Sequence, residues 1–177
     1  LNMNEKKIRD IIKHGEGIST EFKECRTALN KDVYETVCAF LNRAGGELLL
    51  GVKDNGGIIG IEEQYINQLK NDFVTAINNP QKISPSFYLS IEEIKIDKRS
   101  IIYIFVPESS QVHRCNGKIF DRNQDGDFNI TENTNLVTAL YLRKQLTYSE
   151  NRVYPFITMS EFRNDLIQRV RIMAVNH

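Results

Sequence analysis

In the segment ELLLGVKDNGGIIGI, residues 47–61, an apolar run is followed by a cluster of glycines. Leu48, Leu49 and Leu50 follow a glycine pair and are too few for a helix, so they predict a buried strand. Asn55-Gly56 is a strong hairpin signal, because both residues tolerate a positive φ. We therefore expect a strand, a hairpin turn and a returning strand, with Asp54 presented immediately before the turn.

The glycines of this stretch do not have the spacing of a phosphate-binding loop. Such a loop needs G-x-x-x-x-G-K-[ST], or G-x-G-x-x-G at the start of a helix, because helix N-terminal amides hold the anion. Neither pattern occurs in the sequence. The glycines therefore turn the chain, and we expect no ATP as a cofactor.

Hydrophobic periodicity on both sides of this stretch predicts an α+β fold with a mixed, largely antiparallel sheet covered by helices. Asn30 is a candidate N-cap for the helix that precedes Gly45-Gly46. We expect a main domain over residues 1–147 and a C-terminal helical extension over 148–177. The other predicted elements are helices at 4–13, 65–79, 135–146 and 160–174, and strands at 20–24, 48–52, 87–96, 101–106 and 118–122.

Composition limits the classes of function. The chain has 23 basic and 23 acidic residues, so any basic surface must be local, and indiscriminate binding to nucleic-acid backbones is disfavoured. No apolar run approaches the ~20 residues of a membrane span, and the N-terminus is charged where a secretory signal would be apolar. Three cysteines at unrelated spacings suit a reducing compartment. We expect a cytoplasmic protein without a membrane partner.

Three acidic residues form the candidate chemical site. Glu16 and Glu21 flank the entry to the first strand, and Asp54 precedes the hairpin turn. Converging carboxylates repel one another unless a cation lies between them, so they would imply Mg²⁺ or Mn²⁺. Lys23 projects from the same strand face as Glu21, an acid-x-lysine arrangement that metal-dependent nucleases use. The alternatives are solvated glutamates and an aspartate that only favours the turn.

The sequence resembles the Schlafen AlbA-like domain family over residues 13–122. The resemblance rests on Glu16-x-x-x-x-Glu21-Phe22-Lys23-Glu24, on CAFLNRAGGELLLGVKDNG at 38–56, on Ile59-Gly60-Ile61 and on later strands near Val106-Pro107 and 119–122. Members are widespread in bacteria and are described as DNA-binding domains and candidate transcriptional regulators. Their core is shared with mammalian Schlafen proteins.

The resemblance also implies roles for individual residues. In Schlafen endoribonucleases of this family, two glutamates and one aspartate form a metal-dependent site that cuts structured RNA. By the motif, Glu21 and Asp54 would be the principal metal ligands, Glu16 a further ligand or a water-orienting base, and Lys23 an electrostatic stabiliser. Because mammalian members use paired lobes, this single neutral chain would need a homodimer to imitate them.

Two other functions stay open beside a metal-dependent endoribonuclease acting on RNA or DNA. One is a non-catalytic DNA-binding module of a transcriptional regulator, and the other is a protein-interaction domain. The basic residues that we expect to contact a nucleic acid are Arg26, Lys31, Arg43, Lys53, Arg114, Lys118 and Arg122.

Residues 121–132 match the pattern of an EF-hand calcium loop, including a glycine at position six and a glutamate at position twelve. The pattern requires a flanking helix on each side, and the residues before it favour a strand. We therefore interpret these residues as a polar loop between a strand and a helix.

Overall fold

The structure is a computed structural model that describes residues 3–149. The described residues as far as Gln145 belong to one compact unit, and the chain from Leu146 onward forms a second. The predicted helix at 160–174 and the rest of the predicted 148–177 extension beyond residue 149 lie outside the described residues. The helices are α1 (Met3–His14), α2 (Asp32–Asn42), α3 (Glu63–Asn78) and α4 (Thr134–Ser149).

The main sheet has four strands in the order β1-β2-β5-β4. β1 pairs parallel with β2, whereas β5 is antiparallel to both β2 and β4. The expected mixed, largely antiparallel sheet is therefore confirmed. The strands are β1 (Thr20–Lys23), β2 (Gly46–Leu50), β3 (Ile83–Ser84), β4 (Glu92–Ile96), β5 (Arg99–Val106), β6 (Arg114–Cys115), β7 (Phe120–Asn123) and β8 (Gly126–Asn129).

Both faces of the sheet are buried, and β2 shows how the sequence achieves this. Leu48 and Leu50 lie in a cluster with the apolar faces of α2 and α3, whereas Leu49 lies in a second cluster with Ile8 of α1. Successive side chains of a strand point to opposite faces, so three consecutive leucines bury both faces. The apolar face of α3 consists of Ile66, Leu69, Phe73 and Ile77.

Of the two predicted hairpins, one is shorter than expected and the other is confirmed. Val52 and Ile58 form only an isolated antiparallel bridge, so the expected returning strand after Asn55-Gly56 is reduced to a tight turn. The β4–β5 hairpin is confirmed, and its two turn residues, Asp97 and Lys98, have φ values of 49° and 65°.

The predicted N-cap of α2 is wrong by one residue. Lys31 occupies that position and makes no side-chain capping hydrogen bond. Asn30 contributes its backbone carbonyl instead, which accepts a hydrogen bond from the Val33 amide at 3.3 Å.

Residues 121–132 do not form an EF-hand. The segment contains the antiparallel hairpin of β7 and β8, in which Arg122 lies opposite Asp127. The residues before 121 form β6, a turn and the first residue of β7 instead of the helix that must precede a calcium loop. Ile119 and Ile130 pack with Leu140 of α4 in a third apolar cluster. The pattern therefore belongs to a hairpin whose acidic residues pair with arginines.

Two further features concern the cysteines and the helices. Cys25, Cys38 and Cys115 are all free and buried. Among residues 3–149, no helix is both long and apolar enough to cross a membrane.

Candidate functional site

The loop between α1 and β1 holds Glu16 beside β1. The loop folds back on itself, because Gly17 and Thr20 form an antiparallel bridge. Glu16 can then accept a hydrogen bond on Oε1 from the Phe22 amide at 2.8 Å. The bond fixes this carboxylate next to the strand that carries Glu21.

Asp54 reaches the same region through the tight turn after β2. The Lys53 amide donates to the Gly57 carbonyl at 2.9 Å, and the Gly56 amide donates to the Lys53 carbonyl at 2.8 Å. A Cβ atom placed on Gly56, whose φ is 81°, would lie 3.0 Å from Ile12 of α1. The turn therefore packs against the end of α1, close to Glu16.

The pKa of Glu16 shows that the three acids share one electrostatic environment. Burial raises this pKa, and the hydrogen bond from the Phe22 amide lowers it. The negative charges of Glu21 and Asp54 raise it further. The net shift is upward from 4.5, mainly because of burial, with Glu21 and Asp54 close enough to add to it.

Glu21 is paired with two cations in this arrangement. Lys23 donates from Nζ to Glu21 Oε1 at 2.7 Å, as expected for residues on one strand face. Arg122 donates to Glu21 Oε2 at 2.5 Å. Lys23 also pairs with Asp32 at 3.0 Å. Burial lowers the pKa of Lys23, but its bonds to Glu21 and Asp32 outweigh this and raise the pKa above its usual value.

Arg122 was predicted to contact nucleic acid, and its position is incompatible with that role. Only 1% of the residue is exposed. Its guanidinium pairs with Glu21 and with Asp127 at 2.6 Å, and donates to the backbone carbonyls of Gly17 and Thr20. Arg122 therefore joins the β7–β8 hairpin to the start of β1 and contributes no exposed charge.

The three carboxylates do not fit a divalent metal ion as they are placed. Both oxygens of Glu21 already accept hydrogen bonds from cations, and Glu16 Oε1 accepts one from an amide. Within residues 3–149, no three His, Cys, Asp or Glu side chains are grouped so that they could hold a metal ion. A metal bound to Glu21 would have to compete with Lys23 and Arg122.

Exposed basic residues lie around the carboxyl ends of β1 and β2. These two strands are parallel neighbours, so the loops that follow them meet at one end of the sheet. Lys31 and Lys53 are exposed and make no ion pair within the part of the chain that the structure describes. Arg26 is also exposed, and its pair with Glu62 is 3.9 Å long. We call Arg26, Lys31 and Lys53 the basic loop surface.

The other predicted contact residues lie elsewhere. Arg43 follows α2, donates to the backbone carbonyl of Arg122 at 3.0 Å and lies 3.6 Å from Asp121. Arg114 lies on β6 and donates to the Gly117 carbonyl, and Lys118 is exposed in the following turn. None of these three residues lies in the loops that follow β1 and β2, so they are not part of the basic loop surface.

Two residues that complete the charge network were not predicted from the sequence. Asp32 begins α2 and pairs with Lys23, and Asp127 pairs with Arg122 and accepts a hydrogen bond from Thr36 at 2.5 Å. In the sequence, Asp127 stood out only as one of the acidic positions of the calcium-loop pattern at residues 121–132. Its spacing of five from Arg122, across a hairpin, was the signal that could have identified the pair.

Glu16→Gln provides a test of the raised pKa of Glu16. A carboxyl group whose pKa is raised on folding contributes stability at low pH and loses it as pH rises through the folded pKa. The glutamine keeps an acceptor for the Phe22 amide but removes the charge. We therefore expect the variant to gain stability relative to wild type between pH 4 and pH 7, measured by urea unfolding.

Glu24→Gln is the control for this test, since it makes the same change at an exposed position. A Glu16→Gln difference that stays flat or shrinks between the two pH values would contradict the raised pKa of Glu16.

Comparison with known proteins places this geometry in a family. The family model described as Schlafen, AlbA_2 matches residues 16–131. The crystal structure of the DIP2311 protein from Corynebacterium diphtheriae is 17% identical, with a TM-score of 0.50 over 70% of this chain and 26% of that chain. This likeness shows the fold alone, and the chain spans about a quarter of that protein's length.

A second similar structure is the solution NMR structure of the N-terminal domain of the "Putative ATP-dependent DNA Helicase RecG-related Protein" from Nitrosomonas europaea. It is 21% identical, with a TM-score of 0.44 over 57% of this chain and 72% of that chain. No curated protein matches the chain. The family model covers more than half of the sequence and agrees with the resemblance seen in the motifs, so the chain belongs to the Schlafen AlbA_2 family.

Proposed function

We propose that this domain binds nucleic acid, RNA or DNA, through the basic loop surface at the carboxyl ends of β1 and β2. The observation that carries the proposal is the exposure of Lys31 and Lys53 without an acidic partner among the described residues. Unpaired lysines on two adjoining loops can contact successive phosphates, and membership of the Schlafen AlbA_2 family supports nucleic-acid association.

The charge balance of the domain limits the strength of this binding. The chain is neutral, and Glu16 and Asp54 are exposed beside the basic loop surface. These acids repel phosphates that are not in contact with Lys31 or Lys53, so the domain neutralises few phosphates. We expect modest affinity that falls as salt concentration rises.

Charge reversal on the basic loop surface is expected to weaken binding. Lys31→Glu and Lys53→Glu should each raise the Kd roughly tenfold at low salt, and each should reduce the slope of log K against log salt by about one. The measurement is fluorescence anisotropy with labelled tRNA, single-stranded DNA and duplex DNA over a range of salt concentrations.

Lys6→Glu is the matched control. It changes the net charge by the same amount, but Lys6 borders a groove with Thr20 and Glu47, at the opposite end of β1 and β2. Equal weakening by all three variants would show a net-charge effect only, and salt-insensitive or absent binding would overturn the proposal.

A second candidate function is metal-dependent hydrolysis of RNA. One observation favours it, namely that Glu21 and Asp54 both raise the pKa of Glu16. The pairing of Glu21 with Lys23 and Arg122 opposes it. In this second candidate Glu16, Glu21, Asp54 and Lys23 are the residues on which activity depends, and Mg²⁺ or Mn²⁺ is required.

The two candidates differ in their response to metal. Non-catalytic binding, as in a DNA-binding module of a regulator, is indifferent to EDTA and to Glu21→Ala. Hydrolysis needs Mn²⁺ or Mg²⁺, stops with Asp54→Asn, and is accompanied by a Mn²⁺-dependent rise in melting temperature of the wild type. Cleavage that persists in the Glu21→Ala variant would show that the three acids do not carry out the hydrolysis.

The proposal also includes the cellular location of the protein and its oligomeric state. The protein acts in the cytoplasm, where its three buried cysteines stay reduced. We further propose that it forms a homodimer, as the paired lobes of mammalian Schlafen proteins suggest.

A further inference from the structure

Two exposed aromatic side chains lie at the end of the main sheet that is opposite to the basic loop surface. Phe105 of β5 pairs with Glu47 near the amino end of β2 and is 54% exposed. Tyr88, in the segment that precedes β4, is 81% exposed. Both residues line a surface cavity of about 320 Å³, together with Tyr103 and Glu92. We call this cavity the aromatic pocket.

Glu92 places a carboxylate beside the aromatic rings of this pocket. It is the first residue of β4 and lies directly opposite Tyr103 of β5. Phe105 is two positions further along β5, so its side chain points to the same face of the sheet as those of Tyr103 and Glu92. Glu92 is exposed and makes no ion pair with any residue between 3 and 149. The pocket therefore contains an unpaired negative charge.

The lysine nearest to this charge is already paired with another carboxylate. Lys7 of α1 lines a neighbouring cavity of about 290 Å³, which shares Glu92, Tyr103 and Phe105 with the aromatic pocket. Its Nζ atom donates to the Tyr103 hydroxyl at 2.6 Å and lies 3.0 Å from Glu47 Oε1. Glu47 thus neutralises Lys7, and the negative charge of Glu92 remains available to a ligand.

We propose that the aromatic pocket binds an arginine side chain of a protein partner. The face of an aromatic ring attracts cations, and the planar guanidinium group both stacks on such a ring and donates two hydrogen bonds to a carboxylate. Phe105 and Tyr88 supply the rings, and Glu92 supplies the carboxylate. An uncharged ligand would cover Glu92 without pairing its charge, which costs free energy.

Charge distinguishes this ligand from a nucleobase, which also stacks on aromatic rings. Proteins that bind single strands combine stacking rings with a positively charged groove that follows the phosphates. Here the unpaired Glu92 would repel the phosphates next to a stacked base, and Lys7 is paired with Glu47. The aromatic pocket is also at the other end of the sheet from the basic loop surface, so this proposal and the proposed nucleic-acid binding can fail independently.

Titration of a short arginine peptide into the ¹⁵N-labelled full chain tests the proposal. The probe is acetyl-Gly-Arg-Gly-amide, and the same peptide with citrulline in place of arginine keeps the shape of the side chain without its charge. We expect the arginine peptide to shift the backbone amide signals of Tyr88, Glu92 and Phe105. The citrulline peptide should bind at least about tenfold more weakly, because it makes neither the cation–π contact nor the charged hydrogen bonds.

Substitutions in the aromatic pocket separate the contribution of the charge from that of the ring. Glu92→Gln should raise the Kd of the arginine peptide at least about tenfold, and Tyr88→Ala should raise it about threefold. Both residues are exposed, so both variants should fold. Asp72→Asn is the matched control, because Asp72 is an exposed acid on α3, which packs against the opposite face of the sheet. It should leave the Kd unchanged.

Three results would overturn the proposal. The first is equal binding of the arginine and citrulline peptides, which would show that the pocket does not recognise charge. The second is binding of the arginine peptide that Glu92→Gln leaves unchanged, or that produces no shift at Tyr88, Glu92 or Phe105. The third is a shift of these signals by a short single-stranded RNA or DNA but not by the arginine peptide, which would identify the pocket as a site for nucleobases.

Discussion

Replacement of Arg122 by alanine is expected to lower the free energy of unfolding by about 3–5 kcal/mol. The guanidinium is buried and pairs with Glu21 and Asp127, and it also satisfies the carbonyls of Gly17 and Thr20. Its removal leaves the largely buried Asp127 without its cation and Glu21 with Lys23 alone. An unpaired buried charge costs more than the pair itself contributes, so the loss is large.

Urea unfolding of three variants separates this charge effect from lost packing, since Arg122 also lies over the ring of Phe40. In a double-mutant cycle, Glu21→Gln should cost less in the Arg122→Ala background than in the wild type, because its partner has already gone. Arg26→Ala is the control, with a side chain 64% exposed and an expected change within about 0.5 kcal/mol. Additive costs in the cycle would contradict the proposed network.

Replacement of Gly45 by alanine is expected to cost about 2–5 kcal/mol. Gly45 connects α2 to β2 with a φ of 77°, a region that costs an L-residue about 1–2 kcal/mol. A Cβ atom there would also lie 2.6 Å from the Val106 carbonyl oxygen and 2.9 Å from the Glu108 amide. Both neighbours are backbone atoms, so the clash requires movement of the chain after β5.

Gly15→Ala isolates the two parts of this cost. Gly15 has a φ of 80°, but an added Cβ atom would meet nothing within 4 Å. This variant should lose only the cost of the backbone conformation. Thermal or urea unfolding of both variants gives the comparison, and equal losses would show that the close approach to Val106 is relieved without cost.

The sequence was sufficient for the parts of the site that local chain geometry decides. Asn55-Gly56 predicted the tight turn that carries Asp54, and the alternation of β1 placed Lys23 beside Glu21. Both follow from contacts between residues a few positions apart. The convergence of Asp54 with Glu16 required the family motif, because periodicity does not reveal how the turn packs against α1.

Long-range pairing was not predictable from the sequence. Arg122 and Glu21 are 101 positions apart, and their contact depends on how the β7–β8 hairpin packs against the start of β1. From composition alone, Arg122 was one more candidate for nucleic-acid contact. The same hairpin explains the false calcium-loop pattern, since acidic and glycine residues suit a turn as well as a metal loop.

NMR mapping of bound nucleic acid shows whether the basic loop surface is where the nucleic acid binds. A short single-stranded RNA or DNA is titrated into ¹⁵N-labelled protein at low salt, and the shifts of the backbone amides are followed. We expect salt-sensitive shifts centred on Arg26, Lys31, Lys53 and Asp54, with little change at Lys6 or along α4. Shifts confined to Arg114 and Lys118, or none at any residue, would contradict it.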